Sequence, residues 1–345
     1  MSKSVTSALL LAVLALATAA PTEAQESKSV TIVSWGGTTQ DGLRKTMWAP
    51  IAQELGITLK EDTLNSNADI RAQVQSGNVT WDIVDIGSSG CVQFAKEGLL
   101  EPIDYSKIDT KGLPERLRNK DWIGFYYFST LLAWNKDEVK QEPTGWKDFW
   151  DVQGFPGPRS LRNDTAANLE FALMADGVPI DQLYPLDIDR AFRKLAELKP
   201  EVKVWWTAGA QSMQLATSGE VGLLSMWNAR APAANKQGGH VGFTYNQATL
   251  DFECLLVPKG APNRELAMQV IDRLVAPKYQ AAFPVEVPYG PVNELAFEQG
   301  TIPAELLPLL PSAPANAKLQ ALVDPVWWAE HGPEVTERFQ EFLQQ

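Results

Sequence analysis

Histidine and cysteine are scarce in this chain, and their scarcity excludes several kinds of chemistry. The sequence contains two histidines, His240 and His331, and two cysteines, Cys91 and Cys254. Neither histidine has a catalytic or metal-binding motif beside it, so a Ser-His-Asp or Cys-His mechanism has little support. The sequence also lacks a G-x-S-x-G, a G-x-G-x-x-G and a Walker motif. We therefore expect no catalytic residue, no bound metal and no cofactor.

Basic residues are outnumbered, which argues against one class of partner. The chain has 30 lysines and arginines against 42 aspartates and glutamates, and its formal net charge is −12. Surfaces that bind nucleic acid need basic patches, so we expect no nucleic-acid partner. An acidic balance commonly serves solubility, and it is also compatible with the attraction of a cation.

Long apolar runs are confined to the N-terminus. Lys3 precedes an apolar stretch from Ala8 to Ala20, and small residues follow it up to Ala24. This order is typical of a secretory signal peptide over residues 1–24, removed near Ala24. No cysteine lies at the cleavage position, so we expect no lipid anchor, and no second run is long enough to cross a bilayer. The sequence predicts an exported protein.

The sequence leaves open whether the two cysteines form a disulfide. An oxidising compartment allows Cys91 and Cys254 to pair. The sequence does not show whether their Cα atoms come within bonding reach, so the free and the paired states both remain possible at this stage.

The order of strands and helices predicts an α/β fold. A chain of 345 residues and 38.0 kDa exceeds a usual single core, so two lobes are expected. Strand patterns cover Ser29–Ser34, Ile57–Asp62 and Asp82–Ile86, with helical patterns between them. This alternation predicts a parallel sheet with helices on both faces.

A similar alternation continues through the second half of the chain. Further predicted elements are a strand at 122–135, a strand at 159–162, a helix at 166–175, a helix at 188–198, strands at 243–250 and 251–258, and a helix at 333–342. Asp164 and its neighbours are placed as a cap of the 166–175 helix, and Thr207 as the N-cap of the helix after the strand at 202–206.

The segment from Val202 to Arg230 is the most informative stretch. It reads VKVWWTAGAQSMQLATSGEVGLLSMWNAR, a strand, turn, helix and strand in succession. It resembles the WTSGAQ, SGEV and WNGR segment of periplasmic solute-binding proteins of ABC importers, in the polyamine (spermidine/putrescine) and γ-aminobutyrate group. The KEGLLEPID run at 96–104 and the YGPVN run at 289–293 resemble further motifs of that group. The likeness covers nearly the whole mature chain.

The resemblance implies a type II periplasmic-binding-protein fold. In that fold each of two lobes is a mainly parallel sheet flanked by helices, and crossing strands join the lobes. We expect the first lobe to comprise residues 25–133 and 258–300. The second lobe, with the C-terminal helices, would comprise residues 134–257 and 301–345. The strand at 122–135 is expected to be the first crossing and the strand at 251–258 the return.

The same resemblance implies a ligand site between the lobes. Its candidate residues are Trp35, Ser89, Asp164, Trp206, Arg230, Glu253 and Tyr289. Arg230 is at a position that grips a ligand carboxylate in γ-aminobutyrate-type relatives, and Glu253 is at a position that takes the amine. An arginine fork can satisfy both carboxylate oxygens. The alternative is that these two side chains bond each other or solvent.

Polyamine-type relatives use two acids three residues apart in the second lobe. Asp164 keeps the first of these, and Ala167 replaces the second. The loss of one acid and the presence of Arg230 favour a zwitterion over a polycation. Asp164 also has an ordinary alternative role as a helix cap.

Aromatic walls are the other feature that an ammonium ligand needs. The candidates are Trp35, Trp206, Trp227, Phe252 and Tyr289. Core packing is the alternative role for each, and Trp35 and Tyr289 are the preferred two. Trp205 and Trp206 point to opposite faces of a strand, so only one of them can reach a ligand.

Three other functions remain open. Paired carboxylates could serve a periplasmic hydrolase. Tyr126 and Tyr127 form an adjacent pair that a ferric-iron carrier of the same fold could use. A scaffold or adhesin would bind no small ligand.

The favoured interpretation is a monomeric binding protein that delivers a small amine or zwitterion to a membrane permease with a separate ATPase subunit. The protein would contact the membrane only through this permease.

Overall fold

The computed structural model describes residues 28–345, so the predicted signal peptide lies outside the described residues. Within the described range, no helix is long and apolar enough to cross a membrane. The strands are β1 Ser29–Ser34, β2 Thr58–Thr63, β3 Ile83–Gly87, β4 Trp122–Asn135, β5 Arg159–Arg162, β6 Val202–Trp206, β7 Leu223–Trp227, β8 Val241–Leu256, β9 Gly290–Pro291 and β10 Ala321–Leu322.

The strand order shows how two lobes arise from one chain. The strands lie in the order β2-β1-β3-β8-β4-β7-β5-β6, while β9 pairs with β4 and β10 with β8. Strands β1, β2 and β3 pair in parallel at one end, and β5, β6 and β7 do so at the other. We call the parts around these two sets the first and the second lobe.

Two long strands join the lobes. Strands β4 and β8 are antiparallel to each other along most of their length, and β8 also pairs with β3 while β4 pairs with β7. Each strand therefore has one end in each lobe. This arrangement confirms the predicted fold of two mainly parallel sheets joined by crossing strands.

Helices flank both sets of parallel strands. Their bounds are α1 Gly37–Leu43, α2 Ala49–Leu55, α3 Asn67–Ser76, α4 Ser88–Glu97, α5 Trp146–Trp150, α6 Asn168–Ala175, α7 Ile188–Leu198, α8 Gly209–Ser218, α9 Arg230–Lys236, α10 Arg264–Val275, α11 Pro277–Glu286, α12 Pro314–Ala317 and α13 Pro325–Gln344. A π-helical turn at Arg44–Trp48 joins α1 to α2.

Helix α13 contacts both lobes. Its C-terminal half packs Phe339 and Phe342 against Trp205 in the second lobe. Towards its N-terminal half, Glu330 forms a 2.6 Å salt bridge with Lys96 of α4 in the first lobe. The helix therefore closes one side of the space between the lobes.

The largest differences from the predicted bounds concern one strand and one helix, whereas other elements are shifted by one or two residues. Strand β8 runs unbroken from Val241 to Leu256, where two strands had been predicted, because its pairing with β4 continues across register shifts. Helix α13 begins at Pro325, not at Pro333. Asp324 accepts hydrogen bonds from the backbone N–H groups that follow it, and Pro325 suits the first helical position because it has no N–H to leave unpaired.

Cys91 and Cys254 form a disulfide, which settles the question that the sequence left open. Their Cα atoms are 6.6 Å apart, and both side chains are fully buried. The bond ties α4 to the crossing strand β8. It therefore fixes two elements that both border the space between the lobes.

Candidate functional site

A cavity of about 760 Å³ opens between the two lobes. It is lined by six of the seven predicted site residues, namely Trp35, Ser89, Asp164, Arg230, Glu253 and Tyr289. Residues after β1 and β3 supply one wall and residues after β5 and β7 supply the other, while α13 closes a side with Trp328 and Thr336. The carboxyl ends of parallel strands are the usual place for a ligand in sheets of this kind.

The turn after β1 brings Trp35 to the cavity. Gly36 and Gly37 both have positive φ, at 74° and 60°, which side-chain-bearing residues rarely adopt. The backbone N–H of Gly36 donates to Gln40 Oε1 over 2.9 Å, which fixes the turn. Trp35 remains 41% exposed and donates from Nε1 to Glu253 Oε2 over 3.3 Å. The indole thus holds the carboxylate that it faces.

Two carboxyl groups, those of Asp251 and Glu253, line the floor of the cavity, and a third lies buried beside them. Asp251 and Glu253 are two residues apart on β8, so their side chains share one face of the sheet, and Asp85 on β3 lies beside them. Ser88 donates to Asp251 over 2.6 Å, and Ser34 donates to Asp85 over 2.7 Å. We call Asp85, Asp251 and Glu253 the acidic cluster.

Burial dominates the electrostatics of the acidic cluster. It raises the pKa of Asp85 to about 7 and that of Asp251 to about 6. The pKa of Glu253 is also raised well above its ordinary value, by burial first and by the neighbouring carboxyl groups second. Across residues 28–345, no lysine or arginine forms an ion pair with any member of the cluster. The cluster therefore has no salt bridge within the described residues, although Arg162, which is paired with Asp164, lowers the pKa of Asp251.

Tyrosine rings form the wall next to the acidic cluster. Tyr289 stacks on Tyr126 with 5.3 Å between ring centroids, and both tyrosines line the cavity. Burial raises the pKa of Tyr289, so its hydroxyl remains neutral at ordinary pH. These rings and Trp35 give an ammonium group the aromatic faces that it favours.

Arg230 lies at the start of α9, where the chain leaves β7. Its Nη1 donates to Thr38 Oγ1 of the first lobe over 3.2 Å, and its Nε is buried without a hydrogen-bond partner. No carboxylate of the described residues pairs with it. Gly209 makes this position possible, because a Cβ there would lie 2.6 Å from Arg230 Nε. The guanidinium therefore faces the cavity with unused hydrogen-bonding capacity.

Asp164 lines the cavity, but its charge is already paired. Arg162 Nη2 lies 3.0 Å from Asp164 Oδ2, and the same guanidinium lies 5.0 Å from the centre of the Trp227 ring. Asp164 accepts a hydrogen bond from the Ala166 N–H, yet helix α6 begins only at Asn168. The predicted role as the cap of that helix is therefore wrong.

Trp206 does not reach the cavity, which corrects its predicted role. The residue is fully buried and donates to Ser225 Oγ, behind Trp227. Trp227 takes the place at the cavity wall instead. Phe252 also points away, packing against Trp122 and Tyr127 on the other face of the sheet. The alternation of side chains along β8 explains the position of Phe252, which lies between Asp251 and Glu253.

The structure does not favour iron binding by Tyr126 and Tyr127. Neighbouring residues on β4 point to opposite faces, so Tyr126 bonds Asp85 while Tyr127 accepts from Arg116. The described part of the chain contains no group of three or more His, Cys, Asp or Glu side chains placed to hold a metal ion. The two hydroxyls cannot join in one metal site in this arrangement.

Residues 46–308 match the family described as bacterial extracellular solute-binding protein. The chain belongs to this family. The solute-binding protein is 34% identical to the γ-aminobutyric acid-binding protein of Pseudomonas aeruginosa, over 95% of this chain and 94% of the relative. These likenesses confirm the predicted group, and they give no support to an iron carrier.

Solved structures agree with this assignment. An ABC transporter substrate-binding protein from Bradyrhizobium japonicum is 43% identical to the solute-binding protein, with a TM-score of 0.90, over 92% of this chain and all of that one. A structure described as the Atu4243-GABA receptor is 34% identical, with a TM-score of 0.85, over 92% of this chain and 98% of that one. The solute-binding protein is thus a small-molecule-binding component of an ABC transporter.

Proposed function

We propose that the protein captures a small zwitterion of the γ-aminobutyrate type between its lobes. The amine binds at Glu253 and the rest of the acidic cluster, and the carboxylate binds Arg230. The observation that carries this proposal is that Glu253, which forms no ion pair, and Arg230, which has no carboxylate partner, line one cavity.

The unpaired charges of Glu253 and Arg230 explain why a ligand with both an amine and a carboxylate is favoured. An unpaired charge in a closed cleft costs free energy, and neither side chain forms an ion pair within the described residues. A zwitterion supplies a partner to both side chains at once, and the arginine fork can bond both carboxylate oxygens. The γ-aminobutyrate-binding relative supports this ligand class. The volume of the cavity also leaves room for a longer amino-acid chain.

A diamine such as putrescine is the second candidate. The three carboxyl groups of the acidic cluster favour it, because together they can compensate more than one positive charge. It would leave Arg230 unpaired beside a second ammonium group, which opposes its binding. Arg230 therefore favours the binding of a zwitterion and opposes the binding of a diamine.

Closure of the lobes completes the proposed cycle. The ligand contacts residues of both lobes, so it stabilises the closed form over the open one. The proposed lobes comprise 25–133 with 258–300, and 134–257 with 301–345. The closed monomer, exported to the periplasm after cleavage near Ala24, delivers the solute to a membrane permease whose ATPase is a separate subunit.

Calorimetric titration of three ligands tests this function. γ-Aminobutyrate, putrescine and butyrate are titrated into the wild type, Arg230→Gln and Glu253→Gln. We expect the wild type to prefer γ-aminobutyrate. Arg230→Gln should weaken γ-aminobutyrate about 10- to 100-fold, as for a lost charged hydrogen bond, without weakening putrescine. Glu253→Gln should weaken both amines.

Three results would contradict the proposal. If the wild type binds butyrate as tightly as γ-aminobutyrate, the amine contributes nothing to binding. If Arg230→Gln leaves the γ-aminobutyrate affinity unchanged, Arg230 does not bind the carboxylate. Stronger wild-type binding of putrescine than of γ-aminobutyrate favours the diamine function.

A further inference from the structure

Asp85 and Glu253 form a pair that the ligand-binding role of Glu253 alone does not explain. On the antiparallel strands β3 and β8, Asp85 lies opposite Leu255 and Gly87 lies opposite Glu253. The two acids are therefore diagonal neighbours on one face of the sheet, close enough for each carboxyl group to shift the pKa of the other. Glu253 lines the cavity, whereas Asp85 is fully buried next to it.

The hydrogen bonds of this pair are incomplete without a proton. Asp85 Oδ2 accepts from Ser34 Oγ over 2.7 Å and from Tyr126 OH over 3.4 Å. Asp85 Oδ1 is buried and has no donor. A buried acceptor without a partner is destabilising. A proton held between the two carboxyl groups supplies the missing donor, because one carboxyl then donates to the other.

The surrounding charges favour keeping that proton. Asp251 adds a third carboxyl group beside Glu253, and the tyrosines Tyr126 and Tyr289 face the pair with neutral hydroxyls. Arg162 lowers the pKa of Asp251, and Arg230 lowers that of Tyr289, but no cation is among the causes that shift the pKa of Asp85 or Glu253. Two adjacent carboxyl groups in such surroundings cannot both be ionised easily, so they titrate as one unit.

We propose that Asp85 and Glu253 share one proton while the cleft is empty, and that the ammonium group of the solute displaces it. Asp85 is then the positioning residue that couples capture of the amine to release of a proton. The proton leaves its carboxyl oxygen for the solvent, the ammonium group remains protonated, and the pair changes from one negative charge to two. This inference rests on the proposed function, since it needs an amine-bearing ligand.

The exchange has consequences for pH dependence and for specificity. Affinity for an amine rises with pH while the empty pair holds its proton, by up to about tenfold per pH unit for one proton released. A ligand with a hydroxyl in place of the ammonium group carries no charge to replace the proton. It therefore leaves the pair protonated, and its affinity does not rise in this way.

Calorimetry in two buffers of different ionisation enthalpy counts the protons directly. γ-Aminobutyrate and putrescine are titrated into the mature protein from about pH 5.5 to 8.5, where both amines stay charged. We expect the wild type to release close to one proton per amine near neutral pH. The substitution Asp85→Asn removes one acid, and the new amide can donate to Glu253. The pH below which the affinity falls should therefore be at least about one unit lower than in the wild type. Proton release near pH 7 should be below about half of the wild-type value.

A control variant and the folding state keep the result interpretable. Asp109→Asn removes an exposed aspartate that does not line the cavity, and it should release as many protons as the wild type. Thermal melts establish that each variant is folded. If Asp85→Asn does not fold, the proton count and the pH slope of the wild type decide alone.

The outcomes separate this inference from the proposed function. Binding of an amine without proton release, or with equal release in the wild type and in Asp85→Asn, overturns the coupling but leaves the binding function standing. Failure of the wild type to bind either amine at any pH overturns both.

Discussion

Arg162 and Asp164 form a salt bridge at the cavity wall, with 3.0 Å between Nη2 and Oδ2. Both side chains keep about a third of their surface exposed, at 29% and 36%. The pair is held on one side by the Trp227 ring beneath the guanidinium. The negative charge of Asp164, which was predicted to contact a ligand, is therefore compensated by Arg162 within the protein. Glu253, which has no such partner, remains available.

This difference predicts unequal effects for two conservative changes. Asp164→Asn should lower the affinity for γ-aminobutyrate by less than about fivefold, because its charge is already paired with Arg162 and an exposed charge pair contributes roughly 0–1 kcal/mol. Glu253→Gln should lower it at least about tenfold, because it removes a charged partner of the ammonium group. Isothermal titration of the two variants side by side measures both. Equal losses would show that Asp164 binds the amine after all.

The closeness of Gly209 to Arg230 gives a second prediction. A Cβ at residue 209 would lie 2.6 Å from Arg230 Nε and 3.0 Å from the Trp227 ring. Gly209→Ala should therefore displace the guanidinium and weaken carboxylate-bearing ligands by about tenfold or more, with little effect on putrescine. Ala210→Ser, at the next and exposed position of α8, is the matched control. Unchanged γ-aminobutyrate affinity in Gly209→Ala would argue against the carboxylate site.

The disulfide gives a third prediction. The bond closes a loop with a sequence separation of 163 residues, and such a link restricts the unfolded chain strongly. Cys91→Ala with Cys254→Ala should lower the free energy of unfolding by about 2–5 kcal/mol. Denaturant unfolding of the oxidised wild type, the reduced wild type and the double variant measures the effect. A double variant as stable as the oxidised wild type would show that packing alone holds α4 to β8.

Regular elements with clear ends could be predicted from the sequence. The crossing strand Trp122–Asn135, strand Arg159–Arg162 and helix Ile188–Leu198 have the bounds that their apolar patterns and flanking turn residues indicated. Strand β8 was divided in two because its continuity depends on pairing with β4 across register shifts. A single-strand pattern contains no information about such a partner.

The acidic cluster could be predicted only in part. The spacing of Asp251 and Glu253 places both on one face of a strand, and Asp85 interrupts the apolar run of β3, which is itself a signal of a buried acid. What brings Asp85 to Glu253 is the antiparallel pairing of β3 with β8, between residues far apart in sequence. The salt bridge of Asp164 and the burial of Trp206 likewise depend on neighbours that only the folded chain supplies.

The raised pKa values of the acidic cluster give the last prediction, for stability in the absence of ligand. Burial raises the pKa of Asp85 from 3.8 to about 7 and that of Asp251 to about 6, so the folded state holds protons that the unfolded chain has lost. Through Asp85 and Asp251, the stability of the empty protein should therefore fall as pH rises from about 4 to 7, and Asp85 should add nothing further above that range. Glu54, whose pKa Tyr279 and Arg273 lower to about 2, contributes the opposite slope, but mainly below pH 4.5.

Asp85→Asn removes one buried acid and should raise the free energy of unfolding at pH 8 by an amount on the order of 2 kcal/mol, with a smaller gain at pH 5. Urea unfolding at both pH values measures this difference. An equal effect of Asp85→Asn at the two values would mean that Asp85 is ionised in the folded protein throughout, and that its buried carboxylate is compensated by a group other than a proton.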